Sequence, residues 1–175
     1  MNNKVLLDNL RCIPDFPKKG INFRDVTTLY KNAECMKIMV DELYELYKDK
    51  GITKIVGIES RGFIMAAALA TRLECGMVMA RKPGKLPSTV IKESFSKEYG
   101  VDTIEMHIDS INENDVVLIH DDLLATGGTA KAAWKLVQHF KPKKVYMNFI
   151  IEITDEGLHG RELFKDIELT TLLTI

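Results

Sequence analysis

Two adjacent carboxylates, Asp121 and Asp122, lie near the end of an apolar run that begins at Val116, and Thr126-Gly127-Gly128-Thr129 follows shortly after. The run reads as a buried strand that delivers both acids to its carboxyl end, followed by a turn that opens a helix. In open α/β sheets that edge is where ligands bind. Gly127 and Gly128 let the backbone pass close to an anion with converging N–H groups, the helix amino terminus adds a favourable partial charge, and Thr126 and Thr129 offer hydroxyls. Such a turn suits a phosphate monoester. Paired carboxylates beside it can accept hydrogen bonds from neighbouring sugar hydroxyls, so the whole segment has the chemistry of a ribose 5-phosphate site. Either half by itself is equally consistent with a solvated strand end and an ordinary helix cap. The metal-binding strand of a nucleotide triphosphatase is a poorer match: Gly57 and Gly62 have the spacing of a phosphate-cradling loop, but Phe63 and Ile64 stand where Lys and Ser or Thr are required.

The other charges with a definite place are Arg61, at a turn after a strand, and Arg81, Lys82 and Lys85, three cations within five residues. Most charge runs are solvated faces, but Pro83 and Gly84 break the helix that would present one. The chain as a whole offers no field to explain them: 24 Lys and Arg against 25 Asp and Glu give a net charge of -1, so any anion site is local and nucleic acid is not an expected partner. Cys12, Cys35 and Cys75 are odd in number and widely spaced, which excludes a fully paired disulfide framework and matches no zinc pattern; a reducing, cytoplasmic setting is expected. The uncharged run from Gly62 to Thr71 is half the ~20 residues of a membrane span, and the amino terminus has no signal-like apolar stretch, so neither membrane insertion nor export is expected.

These residues need elements to position them. With 175 residues, 46% hydrophobic and 28% charged, the chain is expected to be one domain with no internal repeat or linker. Val5, Leu6, Leu7 and Leu10 predict a short amino-terminal helix. Met36, Val40, Leu43, Tyr44 and Tyr47 follow the i, i+3, i+4 rule of a longer one that Gly51 would stop. Strands are predicted at Lys54–Glu59, Met77–Ala80, Val116–His120 and Val145–Ile151, with helices over Gly62–Leu73 and about Thr129–Phe140. Alternating strand and helix predicts a parallel sheet with crossover helices. From 81 to 107 the pattern changes to Pro, Gly, charges and short alternating segments around Phe95 and Ile104, a long loop or two-stranded flap.

Taken in order, Ile13-Pro-Asp-Phe-Pro17, Phe23-Arg-Asp25, Gly57-Ile-Glu-Ser-Arg-Gly-Phe63, Arg81-Lys-Pro-Gly-Lys-Leu-Pro87, Glu98-Tyr-Gly100 and Asp121 to Thr129 resemble the motifs of type I phosphoribosyltransferases, and among them the adenine phosphoribosyltransferases. The resemblance runs nearly end to end. It implies an α/β fold with an open, mainly parallel sheet flanked by helices. A small hood from elements near residues 1–30 and the carboxyl terminus, and a flexible flap over about 81–107, would complete a single domain spanning 1–175. It implies transfer of ribose 5-phosphate from phosphoribosyl pyrophosphate to N9 of adenine, giving AMP and pyrophosphate. Mg²⁺ would arrive with phosphoribosyl pyrophosphate, with no direct protein ligand assigned, in a cytoplasmic homodimer.

By the same resemblance, Asp121, Asp122, Ala125, Thr126, Gly127, Gly128 and Thr129 hold the phosphoribosyl group. Ser60, Arg61, Arg81, Lys82 and Lys85 meet pyrophosphate, and the Glu59–Ser60 bond is cis. Asn22, Phe23, Arg24 and Ile153 hold the base, Phe23 by stacking. Glu98 and Tyr99 form the catalytic pair of the flap, the acid assisting proton transfers at the purine and the ring closing over it. Two residues depart from the family pattern: His120 stands where an aliphatic residue is expected and is read as a satisfied buried histidine, and Asn22 replaces a residue often aliphatic. A 6-oxopurine phosphoribosyltransferase and a non-catalytic sensor of phosphoribosyl pyrophosphate or purines on the same fold are the competing readings. The Phe23-Arg24 segment, together with the lack of an obvious lysine aimed at a 6-oxo group after the last core strand, disfavours the first. The Glu98-Tyr99 pair, which a sensor would not need, disfavours the second.

Overall fold

The computed structural model describes residues 3–96, 100–154 and 158–175. Its centre is β7 (Val116–Leu124), the apolar run that carries the acid pair, flanked by β3 (Lys54–Ile58) and β8 (Lys144–Glu152), with β4 (Gly76–Ala80) and β9 (Leu169–Thr174) outermost. All neighbours are parallel, in the order β4-β3-β7-β8-β9. Strands of a parallel sheet covered on both faces need apolar side chains in both directions, which is why β3, β7 and β8 are near-continuous hydrophobic runs. The expected parallel sheet with crossover helices is found, and β9 adds a strand that the sequence pattern did not announce.

One face of the sheet is covered by α3 (Ala33–Tyr47) and α4 (Gly62–Leu73). Met39, Leu43 and Tyr47 of the first and Met65, Ala66 and Leu69 of the second join Ile55, Leu118 and Ile150 in one buried cluster. Asn32 caps α3, its side-chain oxygen accepting from the N–H groups of Glu34 and Cys35 at 2.9 and 3.3 Å. The other face carries α5 (Gly128–Gln138), whose Ala130, Ala133, Leu136 and Val137 pack on Val117, Ile119, Met147 and Phe149. Each large side chain so buried contributes roughly 1.5–3 kcal/mol.

The flap region contains β5 (Val90–Ser96) and β6 (Val101–His107), paired antiparallel from Val90↔His107 to Ser96↔Val101. It is rooted on the body by Ile104 and Met106, buried in the α5-side cluster, and by Lys135 of α5, whose Nζ lies 2.6 Å from Glu93. Near the amino terminus, α1 (Asn3–Asn9) is followed by two short antiparallel strands, β1 (Arg11–Ile13) and β2 (Phe23–Asp25), and by the single-turn α2 (Thr27–Tyr30). A 3₁₀ turn (Gly160–Phe164) stands between β8 and β9.

Candidate active site

The acid pair sits near the carboxyl end of β7, Asp122 buried and Asp121 half-buried. The N–H of Asp122 donates to Oδ1 of Asp121 at 2.8 Å. Burial, reinforced by the charge of Asp122, holds the Asp121 carboxyl well above the ordinary carboxylate range. Hydroxyl donors or a cation placed against Asp121 would favour its charged form. Gly62, the first residue of α4, makes this approach possible: a Cβ there would lie 2.8 Å from Oδ1 of Asp121 and 2.9 Å from the His120 carbonyl oxygen.

Beyond the acids the chain turns through Ala125 and Thr126 to Gly127, which is left-handed at φ 79° and caps α5 with no side-chain bond. No acidic side chain occupies the first turn of α5. The amides of that turn are therefore not claimed by a capping side chain and are the kind that bind a phosphate. A cavity of about 160 Å³ lies against Asp121 and the segment 123–130. A larger one, about 490 Å³, is lined by Glu152, Arg161, Phe164 and neighbours and by none of the loop residues 125–129. Only the smaller lies against the candidate loop.

Arg61 follows the Glu59–Ser60 bond, which is cis as the resemblance implies. Its Nε lies 2.6 Å from Oδ2 of Asp122, an ion pair off the ideal hydrogen-bond line, and its guanidinium carbon is 5.8 Å from the ring centre of Phe23. One side chain thus spans the acid pair and the expected base segment. Tyr30, which sequence reasoning missed, closes this corner: its hydroxyl is 3.4 Å from the Arg61 carbonyl oxygen, and burial together with the fields of Asp122 and Asp121 pushes its phenol well above its usual range.

Phe23 is half-buried on β2 and meets Phe16 edge-on, centroids 5.3 Å apart at 76°. The strand is pinned at its last residue by Asp25, which accepts from the N–H of Thr27 at 3.1 Å, its hydroxyl at 2.6 Å and the guanidinium of Arg11. The Thr27 hydroxyl and then Arg11 hold the Asp25 carboxyl below the usual range. Asn22 is exposed, Arg24 half-buried, and Ile153 lies just past β8, its N–H donating to Leu124 O at 2.9 Å and its side chain against the α3-side cluster.

The three cations after β4 differ in their commitments. Arg81 is tied to Glu59 at 3.2 Å and to the Lys85 carbonyl at 3.2 Å, while the side chains of Lys82 and Lys85 stand exposed. Glu59 also accepts from the Lys82 N–H at 2.8 Å. Burial raises the Glu59 carboxyl, and the bonds from Lys82 and Arg81 outweigh it and leave it below the usual range. Glu59 is a second residue that the motif contained but whose work, fixing the root of the flap, the sequence did not disclose. Glu98 and Tyr99 lie outside the described residues.

His120 is fully buried, as expected, but only half satisfied. Its Nδ1 is 2.9 Å from Oδ1 of Asn148, and its Nε2 has no hydrogen-bond partner among the described residues. Asn148 donates onward to the Thr170 hydroxyl at 2.8 Å, which meets the Tyr47 hydroxyl at 2.6 Å. The amide of Asn148 being spent as donor, its oxygen accepts, and Nδ1 carries the imidazole proton.

The parallel sheet carries the paired acids and the helix-opening glycine loop at its carboxyl edge, and the phosphoribosyl transferase domain model matches residues 25–167. The chain belongs to the phosphoribosyltransferase family. It is 62% identical over 176 residues to the adenine phosphoribosyltransferase of Phocaeicola vulgatus, covering all of both chains. Its fold superposes on the adenine phosphoribosyltransferase of Thermoanaerobacter pseudethanolicus with a TM-score of 0.92 at 38% identity, covering 98% of this chain and 99% of that one. The Giardia lamblia enzyme, solved with 9-deazaadenine, matches at a TM-score of 0.92 and 40% identity, with 100% and 98% covered. Within the family the chain falls among the adenine phosphoribosyltransferases.

Proposed function

We infer that the chain transfers ribose 5-phosphate from phosphoribosyl pyrophosphate to N9 of adenine, releasing AMP and pyrophosphate, a purine-salvage reaction. Full-length identity to adenine phosphoribosyltransferases supports the activity. The observation that carries the site is Arg61, which bridges Asp122 and Phe23 and so brings the sugar, pyrophosphate and base regions within one side chain's reach.

In this reading the amides and hydroxyls of Ala125 to Thr129 take the 5-phosphate, and Asp121 and Asp122 accept the ribose hydroxyls. Ser60, Arg61, Arg81, Lys82 and Lys85 meet the leaving pyrophosphate, the four cations neutralising its charge and the Ser60 hydroxyl donating to it, while Arg81 also holds the loop through Glu59 and the Lys85 carbonyl. Phe23 stacks on the base, backbone groups at Asn22 and Arg24 read its edge, and Ile153 forms an apolar wall. The anomeric carbon becomes cation-like as pyrophosphate departs, so holding base and leaving group in line and stabilising the released charge are the main tasks. Glu98 assists the purine's proton transfers and Tyr99 closes over the site. Mg²⁺ fits as a companion of phosphoribosyl pyrophosphate, an oxygen-seeking ion held largely by substrate phosphates and water, with Asp121 and Asp122 the nearby carboxylates; it would neutralise charge on the leaving group.

We also read the chain as a cytoplasmic homodimer with flexible flap and hood. Ile64, Met79 and Ile108 are large apolar side chains left exposed on one copy, as an interface would require. No helix of the described residues is long and apolar enough to cross a membrane.

The choice of base is the sharpest test. Adenine presents an amine donor beside the N1 acceptor, and hypoxanthine and guanine present the reverse, so a fixed backbone pattern leaves buried groups unpaired with the wrong base. With phosphoribosyl pyrophosphate and Mg²⁺, kcat/KM for adenine is expected to exceed that for hypoxanthine, guanine and xanthine by ~10⁴ or more. Comparable values for hypoxanthine would overturn the base assignment.

A further inference from the structure

Gly160 has no left-handed backbone to explain it; what its position demands is room. It is buried at the start of the 3₁₀ turn, and a Cβ there would lie 2.4 Å from the Ala125 carbonyl oxygen and 3.0 Å from the Gly127 nitrogen. Reciprocally, a Cβ on Gly127 would lie 3.0 Å from both Cα and O of Gly160. Two glycine backbones, distant in sequence, lie flat against each other. Across that contact the Gly160 N–H donates to Ala125 O at 2.9 Å.

This bond has a directional consequence. The Ala125–Thr126 peptide is trans, the cis bonds being Phe16–Pro17 and Glu59–Ser60. In a trans peptide the C=O and N–H point in opposite directions. With the Ala125 carbonyl held toward Gly160, the Thr126 N–H is aimed to the opposite side of the loop. The 3₁₀ turn is itself anchored at the next residue: Arg161 Nε donates to both carboxylate oxygens of Glu152 at 2.7 and 3.0 Å, and Nη1 to Leu169 O at 3.1 Å. Glu152 is buried and stands in register with Leu124, the residue just before Ala125. The grip and the loop therefore start from neighbouring points on the sheet.

We propose that Gly160, held by the Arg161–Glu152 pair, is a positioning residue for the 5-phosphate loop and fixes the aim of the Thr126 amide. The proposal rests on reading residues 125–129 as that loop. A loop amide displaced by a fraction of an ångström keeps its chemistry but loses its alignment, and misplacement of this kind from outside the site can cost up to about 10²-fold.

The test compares Gly160→Ala, Glu152→Gln and Gly128→Val. Gly160→Ala is expected to raise KM for phosphoribosyl pyrophosphate and the calorimetric Kd for AMP by about tenfold or more. KM for adenine and kcat at saturation should stay within about threefold of wild type, a split that general loosening would not produce. Glu152→Gln weakens the grip while leaving Arg161 accessible to water, and should give the same split at about threefold or more even where Gly160→Ala does not fold. Wild-type KM for phosphoribosyl pyrophosphate in folded Gly160→Ala, or an equal loss toward both substrates in either variant, would overturn the proposal. If Gly128→Val weakens AMP while Gly160→Ala and Glu152→Gln do not, the brace fails and the loop assignment stands. If Gly128→Val also binds AMP normally, the loop assignment itself fails.

Discussion

Phe23 shows how much one side chain's role depends on its neighbours. A lone phenylalanine usually belongs to a core, yet this one is half-buried, met edge-on by Phe16 and faced by the Arg61 guanidinium. A flat face so supported is suited to stacking a base. Phe23→Ala should remove about 1 to 3 kcal/mol of stacking, the scale known for bases on aromatic side chains. KM for adenine would then rise roughly 5- to 150-fold with KM for phosphoribosyl pyrophosphate unchanged; equal changes in both would place Phe23 in structure rather than recognition. Residues of this kind were legible where their surroundings were local in sequence. Asp121, Asp122 and the Thr126–Thr129 turn declare themselves because strand, acids and glycines are consecutive. Tyr30, Glu59 and Gly160 did not, because each acquires its meaning from a residue 22 or more positions away: Arg61 for the first, Arg81 for the second, Ala125 for the third.

At the scale of elements, the row His120, Asn148 and Thr170 crosses β7, β8 and β9 at matched register and ends on Tyr47 of α3. Burial, opposed by the bond to Asn148 and the field of Asp122, pushes the His120 pKa down to about 4. Its folded-state value thus lies below the ordinary value of about 6.5. Between these limits the unfolded chain takes up a proton that the folded chain refuses, so stability is lost as pH falls from about 6.5 to about 4, by about 3 kcal/mol in all. Urea unfolding of wild type and His120→Leu across this range should show the wild-type curve steeper by up to one proton. Parallel curves would mean that His120 is charged, or free to become so, in the fold. The strands of this row were unequally legible. β7 and β8 are long apolar runs, whereas β9 alternates threonine and leucine without a clean period. β1 and β2 have three residues each, too few for any period to register.

For the molecule as a whole, a ligand that binds the folded form alone should stabilise it by mass action. AMP at about a hundred times its Kd would add about 2.7 kcal/mol. Spread over the unfolding entropy of 175 residues, about 2.1 cal/mol/K each, that corresponds to a rise in Tm of about 7 °C. An unmoved Tm with saturating AMP would contradict the proposed site. The fold class was readable because alternating strand and helix leaves few topologies, while the seating of the flap was not, since Glu93 and Lys135 meet only once the hairpin and α5 are side by side. The hairpin's root has another effect. Where β4 ends, Arg81 and Glu105 exchange both main-chain hydrogen bonds, N–H to O at 2.9 and 2.7 Å. β4 is an outer strand, and unpaired groups along such a margin are a template on which a second chain can add. By consuming the groups just beyond Ala80, the hairpin also shortens the surface open to aggregation, so truncating it should cost solubility, measured as the soluble fraction after expression.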